Sequence, residues 1–551
     1  MKKLIVFLVV VVAVLAALVL FVYTRPAKPL AHPHIIVALI DTMRADHVGC
    51  YGYKRPTTPF IDELASKGTL YEKVYPPTSW TLPSLATIFT GLYPQQHGII
   101  EGLQTMGVLA YQHQLSSKYL TLPERLANAG YLNIGYSTNI HITKATGFGQ
   151  GFSIFREAAT SNAEMVEQMA QSDRGRFHEA NYHGQPYFLF MHFFDPHSPY
   201  MVREPYIKQV APNLKSDAFL AANPMGGDLM SGFAPGHFKQ HPEQLQALTD
   251  VYDSEIAAAD AALGRIIRNL PGSDRAIIIV LSDHGEAFYE HETMLHGFDL
   301  HEEALRVPLI IREAVKPKAP ASAGRRIGDV VSLIDIVPTI LGYAGADHGD
   351  LPGADVNKEI PARRVLPLHL HRGPIRQHGA IIWPHKLTVD TKTDATQLYD
   401  LSSDPQEKYP LGEQSASEEL LDAAEQAAVI DPAIEAVLVH NKFVANKEQI
   451  QSLGYLTEGQ EAIKEVSKKK PTPSPTPWVI ELKICRTLET IQKECADPDK
   501  QKQKACVKER LDVLKEKTCH KASSYNYRKK CEFMRLKSSL RICSQAQSDG
   551  Q

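Results

Sequence analysis

The chain has 551 residues, 44% of them hydrophobic and 22% charged, with a formal net charge of −3. That length allows several domains and that composition builds buried cores, which excludes wholesale disorder, a collagen-like repeat and a multi-span membrane protein. No global basic field points to nucleic acid as a partner, although residues 479–551 are basic on balance and leave the remainder acidic.

Met1-Lys2-Lys3 precedes an uncharged apolar run from Leu4 to Tyr23. A helix of about twenty residues matches the hydrocarbon core of a bilayer. The two leading lysines favour a cytoplasmic N-terminus and an exported remainder, periplasmic or extracellular. The rival reading is a cleaved signal peptide, but the run is long for one and no clean small-x-small site follows it. Residues 1–26 are therefore read as a transmembrane anchor.

From residue 27 to 346 short apolar runs alternate with helical patterns, which predicts a doubly wound α/β fold: a mostly parallel sheet sandwiched by helices. Ile35 to Ile40 ends in Asp41, Tyr187 to Phe194 ends in Asp195, and Ala276 to Ser282 ends in Asp283. Continuous apolar runs of this kind are strands buried on both faces. Ligands in open α/β sheets bind beyond the carboxyl ends of the strands, so three acids delivered there suggest a cation site. Each acid could instead cap the turn that follows it. Residues 247–269 predict a long amphipathic helix packed on the sheet. Residues 347–415 predict a smaller antiparallel sheet, and 416–463 a polar helical segment. A Lys/Pro-rich spacer spans 464–478.

Residues 479–551 hold six of the seven cysteines, at Cys485, Cys495, Cys506, Cys519, Cys531 and Cys543. With Lys, Glu, Leu and Ala between them, they predict short helices stapled by disulfides, in keeping with an oxidising compartment. No Cys-x2-Cys pair suggests zinc, and six cysteines allow 15 pairings. The basic face of this tail is either a solvated helical surface or a binder of an anionic polymer, lipid head group or cell-wall component. Cys50 is left over and is expected to be buried and inert.

Two segments carry chemistry. Thr78 to Gly91 reads as a helix, with Thr81 or a neighbour as N-cap, Pro83 in the first turn and Gly91 at the end. A hydroxyl there sits in the positive field of a helix N-terminus, which attracts anions. Ser282-Asp283-His284-Gly285-Glu286 offers a carboxylate and an imidazole to one ion, and its glycine lets the backbone approach closely. Asp195-Pro196-His197-Ser198-Pro199-Tyr200 places another acid and imidazole at a rigid turn, and His291, His296 and His301 follow.

These residues resemble the sulfatase family of the alkaline phosphatase superfamily. The match begins with Asp41-Thr42-Met43-Arg44 and Thr81-Leu82-Pro83-Ser84. It continues through Asp195 to Tyr200, Ser282 to Glu286, Arg306-Val307-Pro308, Asp335-Ile336-Val337-Pro338 and Leu398-Tyr399-Asp400, in family order. The resemblance covers residues 34–411. It implies a sulfatase-like α/β sandwich with a smaller C-terminal sheet, and metal-assisted cleavage of a small-molecule, lipid or polymer ester. Carried over by position, Asp41, Asp283 and His284 would hold a divalent ion (calcium, manganese, zinc or magnesium), with Thr81 beside it as nucleophile. His197 would contact substrate or protonate the leaving group, and His296 or Arg44 would hold the oxygens of the transferred group. A second ion, in addition to the first, could be held by Asp195, His197 and His296.

The departures bear on the substrate. The family's Cys-x-Pro-Ser-Arg has its cysteine oxidised to formylglycine; here Thr81 and Leu85 stand at the first and last positions. Threonine is not a known precursor of that aldehyde. The Lys-x-His segment is replaced by Ser137-Thr138-Asn139. A threonine nucleophile is usual in the superfamily's phosphodiesterases and head-group transferases, so the resemblance favours a phosphoester over a sulfate. The other readings are a sulfatase working without the aldehyde and an inactive scaffold.

Overall fold

The computed structural model describes residues 28–430, except 102–103, 107–108, 160, 215–235 and 315–323, together with Val14 and the backbone of 438–440. The anchor, the spacer and the cysteine tail lie outside the described residues. Among the described residues no helix is long and apolar enough to cross a membrane. The chain divides into two units, 1–461 and 462–551, and the fold below belongs to the first.

The apolar runs form an eight-stranded sheet. In chain order its strands are β1 (His34–Ile40), β2 (Thr69–Tyr75), β3 (Leu132–Ser137), β4 (Ile154–Glu157), β5 (Tyr187–Phe193), β6 (Ala276–Leu281), β7 (Leu309–Arg312) and β8 (Arg325–Ser332). Their spatial order is β8-β2-β7-β6-β1-β5-β3-β4. Only β7 runs antiparallel to its neighbours. The three strands that end in an acid are thus adjacent at the centre, with Ile40 opposite Phe193 and Leu39 opposite Leu281.

Alternate residues of β1 feed two cores, as the period-2 geometry of a strand requires. Ile35, Val37 and Leu39 pack with helices α2 (Thr81–Thr90) and α5 (Ile336–Tyr343) on one face. Ile36, Ala38 and Ile40 pack with α1 (Pro59–Ser66), α3 (Ala163–Ser172) and α4 (Pro242–Asn269) on the other. The long amphipathic helix therefore begins five residues earlier than its apolar pattern indicates, with Pro242 in its first turn.

A second sheet of four antiparallel strands follows: β9 (Leu366–Arg372), β10 (Ile375–Ile382), β11 (His385–Asp390) and β12 (Ala395–Asp400). Helix α6 (Glu418–Ala427) covers it through Leu420 and Ala424, capped by the Ser417 hydroxyl. The segment read as helical from 416 holds this one described helix. Beyond it, Leu438–His440 pairs as a strand with 111–113. The branched residues of the Val437-Leu438-Val439 run favour that outcome.

Lys386 ties the two sheets together. It is fully buried on β11, and its ammonium meets Glu407 at 2.6 Å, Glu302 at 3.3 Å and the Leu300 carbonyl at 2.9 Å. A buried cation survives only when paired and hydrogen-bonded in this way.

Candidate active site

The site lies where β1 and β6 end and α2 begins. Trp80, not Thr81, is the N-cap of α2, so Thr81 takes the first helical position and Gly91 closes the helix in the left-handed conformation. The Ser84 hydroxyl donates to the Asp283 carbonyl at 2.7 Å, pinning the helix to the end of β6. Thr81 Oγ1 consequently sits 3.1 Å from His284 Nε2. That nitrogen is 3.7 Å from Asp41 Oδ1 and 3.5 Å from Asp283 Oδ2. One donor atom from each of Asp41, Asp283 and His284 lies within 4.8 Å of the other two. All three residues and Thr81 are 0% exposed.

These donors fit a divalent cation. Asp41 Oδ1 and Asp283 Oδ2 are buried and accept no hydrogen bond. Burial, and then the charge of Asp283, push the Asp41 carboxyl well above its ordinary range. Burial likewise raises Asp283 and lowers His284. Two acids pushed towards neutrality beside a neutral imidazole are the groups whose charges a cation would restore. His284 Nδ1 faces the Gly285 carbonyl at 2.9 Å, which leaves Nε2 on the donor side.

Gly285 makes this close approach possible. A Cβ there would sit 2.0 Å from the Glu303 carbonyl oxygen, where the backbone runs back along the strand end through Gly285 N to Ala304 O.

The structure places the other expected residues differently from one another. His197 and His296 join the site: the His296 ring lies 4.4 Å from His284 and 4.7 Å from His197. His296 Nδ1 pairs with Glu286 Oε1 at 2.8 Å, and His197 Nδ1 donates to the Ser198 carbonyl at 2.5 Å. Burial lowers the pKa of both rings. Asp195 Oδ1 pairs with Arg203 Nη1 at 2.8 Å. Among the described residues, Asp195, His197 and His296 do not form a group of converging donors. Arg44 is held by Asp46 at 2.8 Å, by Glu290, and by the Glu286 carbonyl at 3.0 Å.

Several residues had no role in the sequence reading. Asn139, where the family pattern expects a cation, donates Nδ2 to Asp41 Oδ2 at 2.8 Å. His192 Nε2 is 3.5 Å from the same oxygen. Glu286, last of the Ser282 to Glu286 run, is fully buried and pushed up to about 8 by burial. Arg372, at the end of β9, reaches the His296 carbonyl. Glu286 carried a sequence signal in its place in the motif, and Asn139 in its place in the segment that replaces Lys-x-His.

His291, His301 and Glu303 form a second cluster of donors. The two rings lie parallel at 3.8 Å and 6°. In-plane lone pairs of stacked rings do not converge on one ion. His291 is instead held by Glu303 at 2.7 Å and by the Glu407 carbonyl at 3.2 Å.

A family model described as Sulfatase matches residues 33–346. The uncharacterised sulfatase YidJ of Escherichia coli K12 is 24% identical over 438 residues, covering 69% of this chain and 83% of that protein. Human arylsulfatase K is 29% identical over 194 residues, covering 30% and 33%. Among solved structures, BT4656, bound to its substrate D-glucosamine-2-N,6-O-disulfate, superposes with a TM-score of 0.56 at 19% identity, over 72% of this chain and 97% of that one. The phosphonate monoester hydrolase of Agrobacterium radiobacter does so with 0.53 at 20%, over 72% and 96%.

Proposed function

The chain belongs to the sulfatase family, and from that premise we propose that it is a membrane-anchored, exported, metal-dependent enzyme that cleaves or transfers a phosphoester group through Thr81. The observation that carries this reading is the 3.1 Å approach of the Thr81 hydroxyl to His284 Nε2, inside a donor set that fits a divalent ion.

Asp41, Asp283 and His284 would hold the ion, with Thr81 beside them. Bound there, it would lower the pKa of a neighbouring hydroxyl and offset charge on ester oxygens. Thr81 Oγ1 gives up its proton to water as it attacks phosphorus, the bond to the leaving oxygen breaks, and the group remains on Thr81 as a phosphoester. His197, whose Nδ1 proton is held by the Ser198 carbonyl, passes to the leaving oxygen a proton taken up from water at Nε2. His296, oriented by Glu286, lies against both rings and faces the transferred group. Water or an acceptor alcohol then displaces Thr81 and releases the product. Arg44 holds the Glu286 to Glu290 segment in place rather than presenting a free fork.

Phosphorus is favoured over sulfur because threonine cannot supply the aldehyde hydrate on which formylglycine chemistry depends. The test is a side-by-side assay of aryl sulfate, phosphate monoester, phosphodiester and phosphonate monoester on the metal-loaded full chain. Turnover confined to the sulfate would reassign it as a sulfatase working without formylglycine. A chain that takes up no metal and turns over none of the four would be a scaffold.

A further inference from the structure

The site described so far is short of positive charge. The family's signature arginine is Leu85, its Lys-x-His segment ends in Asn139, and Arg44 is held between Asp46 and Glu290. An anionic ester also needs a cationic donor in a dry pocket. One arginine reaches the pocket from outside the large sheet. Arg372 ends β9 and is 4% exposed, with its guanidinium 4.7 Å from the Phe298 ring and donating to the His296 carbonyl. Gly297 makes room for it: a Cβ there would lie 2.8 Å from Arg372 Nη1. The same point is 3.1 Å from the Cβ of Trp80, the residue before Thr81. Gly297 also has a φ of +73°, which other side chains rarely adopt. The guanidinium thus passes Gly297 beside Trp80, the residue that precedes the nucleophile helix, and bonds the His296 carbonyl.

Resting on the reading of this pocket as an ester-cleaving centre, we propose that Arg372 is a substrate-contacting residue whose planar fork holds an oxygen of the anionic group being transferred. The small sheet is then part of the active site rather than an appendage to it.

The test uses inorganic phosphate as the probe on the manganese-loaded full chain. Binding is read by calorimetry and by the phosphate-dependent rise in melting temperature. Arg372→Gln should weaken phosphate binding roughly 10- to 100-fold, the usual worth of a hydrogen bond to a charged group. It should lower kcat/KM by about 10²- to 10³-fold, and added guanidinium should restore part of the loss. Arg372→Lys keeps the charge without the fork, should fold normally, and should bind phosphate several-fold more weakly than the parent. Parent-like phosphate affinity in either folded variant overturns the proposal, even if kcat falls, because Arg372 would then only position the His296 carbonyl. Phosphate binding needs no turnover. Thr81→Ala should therefore still bind phosphate in an Arg372-dependent way, which separates failure of this inference from failure of the nucleophile assignment.

Discussion

At the level of single side chains, the site is a compact set of buried groups whose neutral forms are favoured until a cation arrives. Thr81→Ala removes the oxygen proposed to attack and nothing that the helix needs, since Trp80 is the N-cap and Ser84 makes the tie to Asp283. Its turnover should fall by at least about 10³-fold with melting temperature and metal content unchanged; appreciable residual turnover would disprove the nucleophile assignment. Asn139 orients Asp41 from behind at 2.8 Å. Loss of such an outer partner usually costs about 10- to 100-fold in metal affinity. Asn139→Ala should therefore titrate with manganese at correspondingly higher concentration, and an unchanged titration would show that Asp41 needs no such support.

Elements explain why those side chains meet, and what could part them. The segment from Gly285 to Glu303 leaves β6, carries His296 past the site and returns alongside the strand end. Gly285→Ala would force a Cβ to within 2.0 Å of a backbone oxygen, and overpacking of this kind costs about 1–3 kcal/mol. Chemical denaturation should show that loss, with metal affinity falling alongside it. The same segment is fastened at its outer side by His291. Burial alone would lower this imidazole, but the hydrogen bond and charge of Glu303, helped by Glu407, carry it up to about 9 from 6.5. A pKa raised by folding stabilises the folded state fully below the unfolded value and loses that contribution as pH rises through the folded one. Stability should accordingly decline between about pH 6.5 and 9, with the stacked His301 and its partner Asp299 as the other ionisable neighbours. His291→Gln should flatten that part of the profile; an unaltered slope would place its origin elsewhere.

Much of this was legible in the sequence, for identifiable reasons. Strands buried on both faces write themselves as unbroken apolar runs, so the three central strands and their terminal acids stand out. Asp195 misled because its partner, Arg203, is fixed by a turn and not by a pattern. Arg372 could not be read, since it acts on His296 across 76 residues, and the partner of Asn139 could not, since Asp41 lies 98 residues away; only the tertiary fold brings these elements together. The N-cap falls on Trp80, the neighbour that the reading allowed beside Thr81, because an extended backbone and not a hydroxyl decides the position.

At the scale of the whole molecule, the described unit should not depend on thiol chemistry. Cys50 is its one described cysteine and is free, with burial and then Asp62 pushing its thiol up to about 12. A chain ending at Glu461 should keep both sheets and bind metal as the full chain does. Reductant should leave its turnover unchanged. A fall in either would tie the cysteine tail to the site.

The central strands contribute their acids from positions 41 and 283, and the neighbouring imidazole arrives only at 296. No ribosome-bound fragment short of that point contains a complete centre. Hydrolytic power is thus withheld until most of the catalytic unit has been synthesised. If the apolar leader engages export machinery at the outset, the centre matures on the far side of the membrane, where cytosolic esters are out of reach.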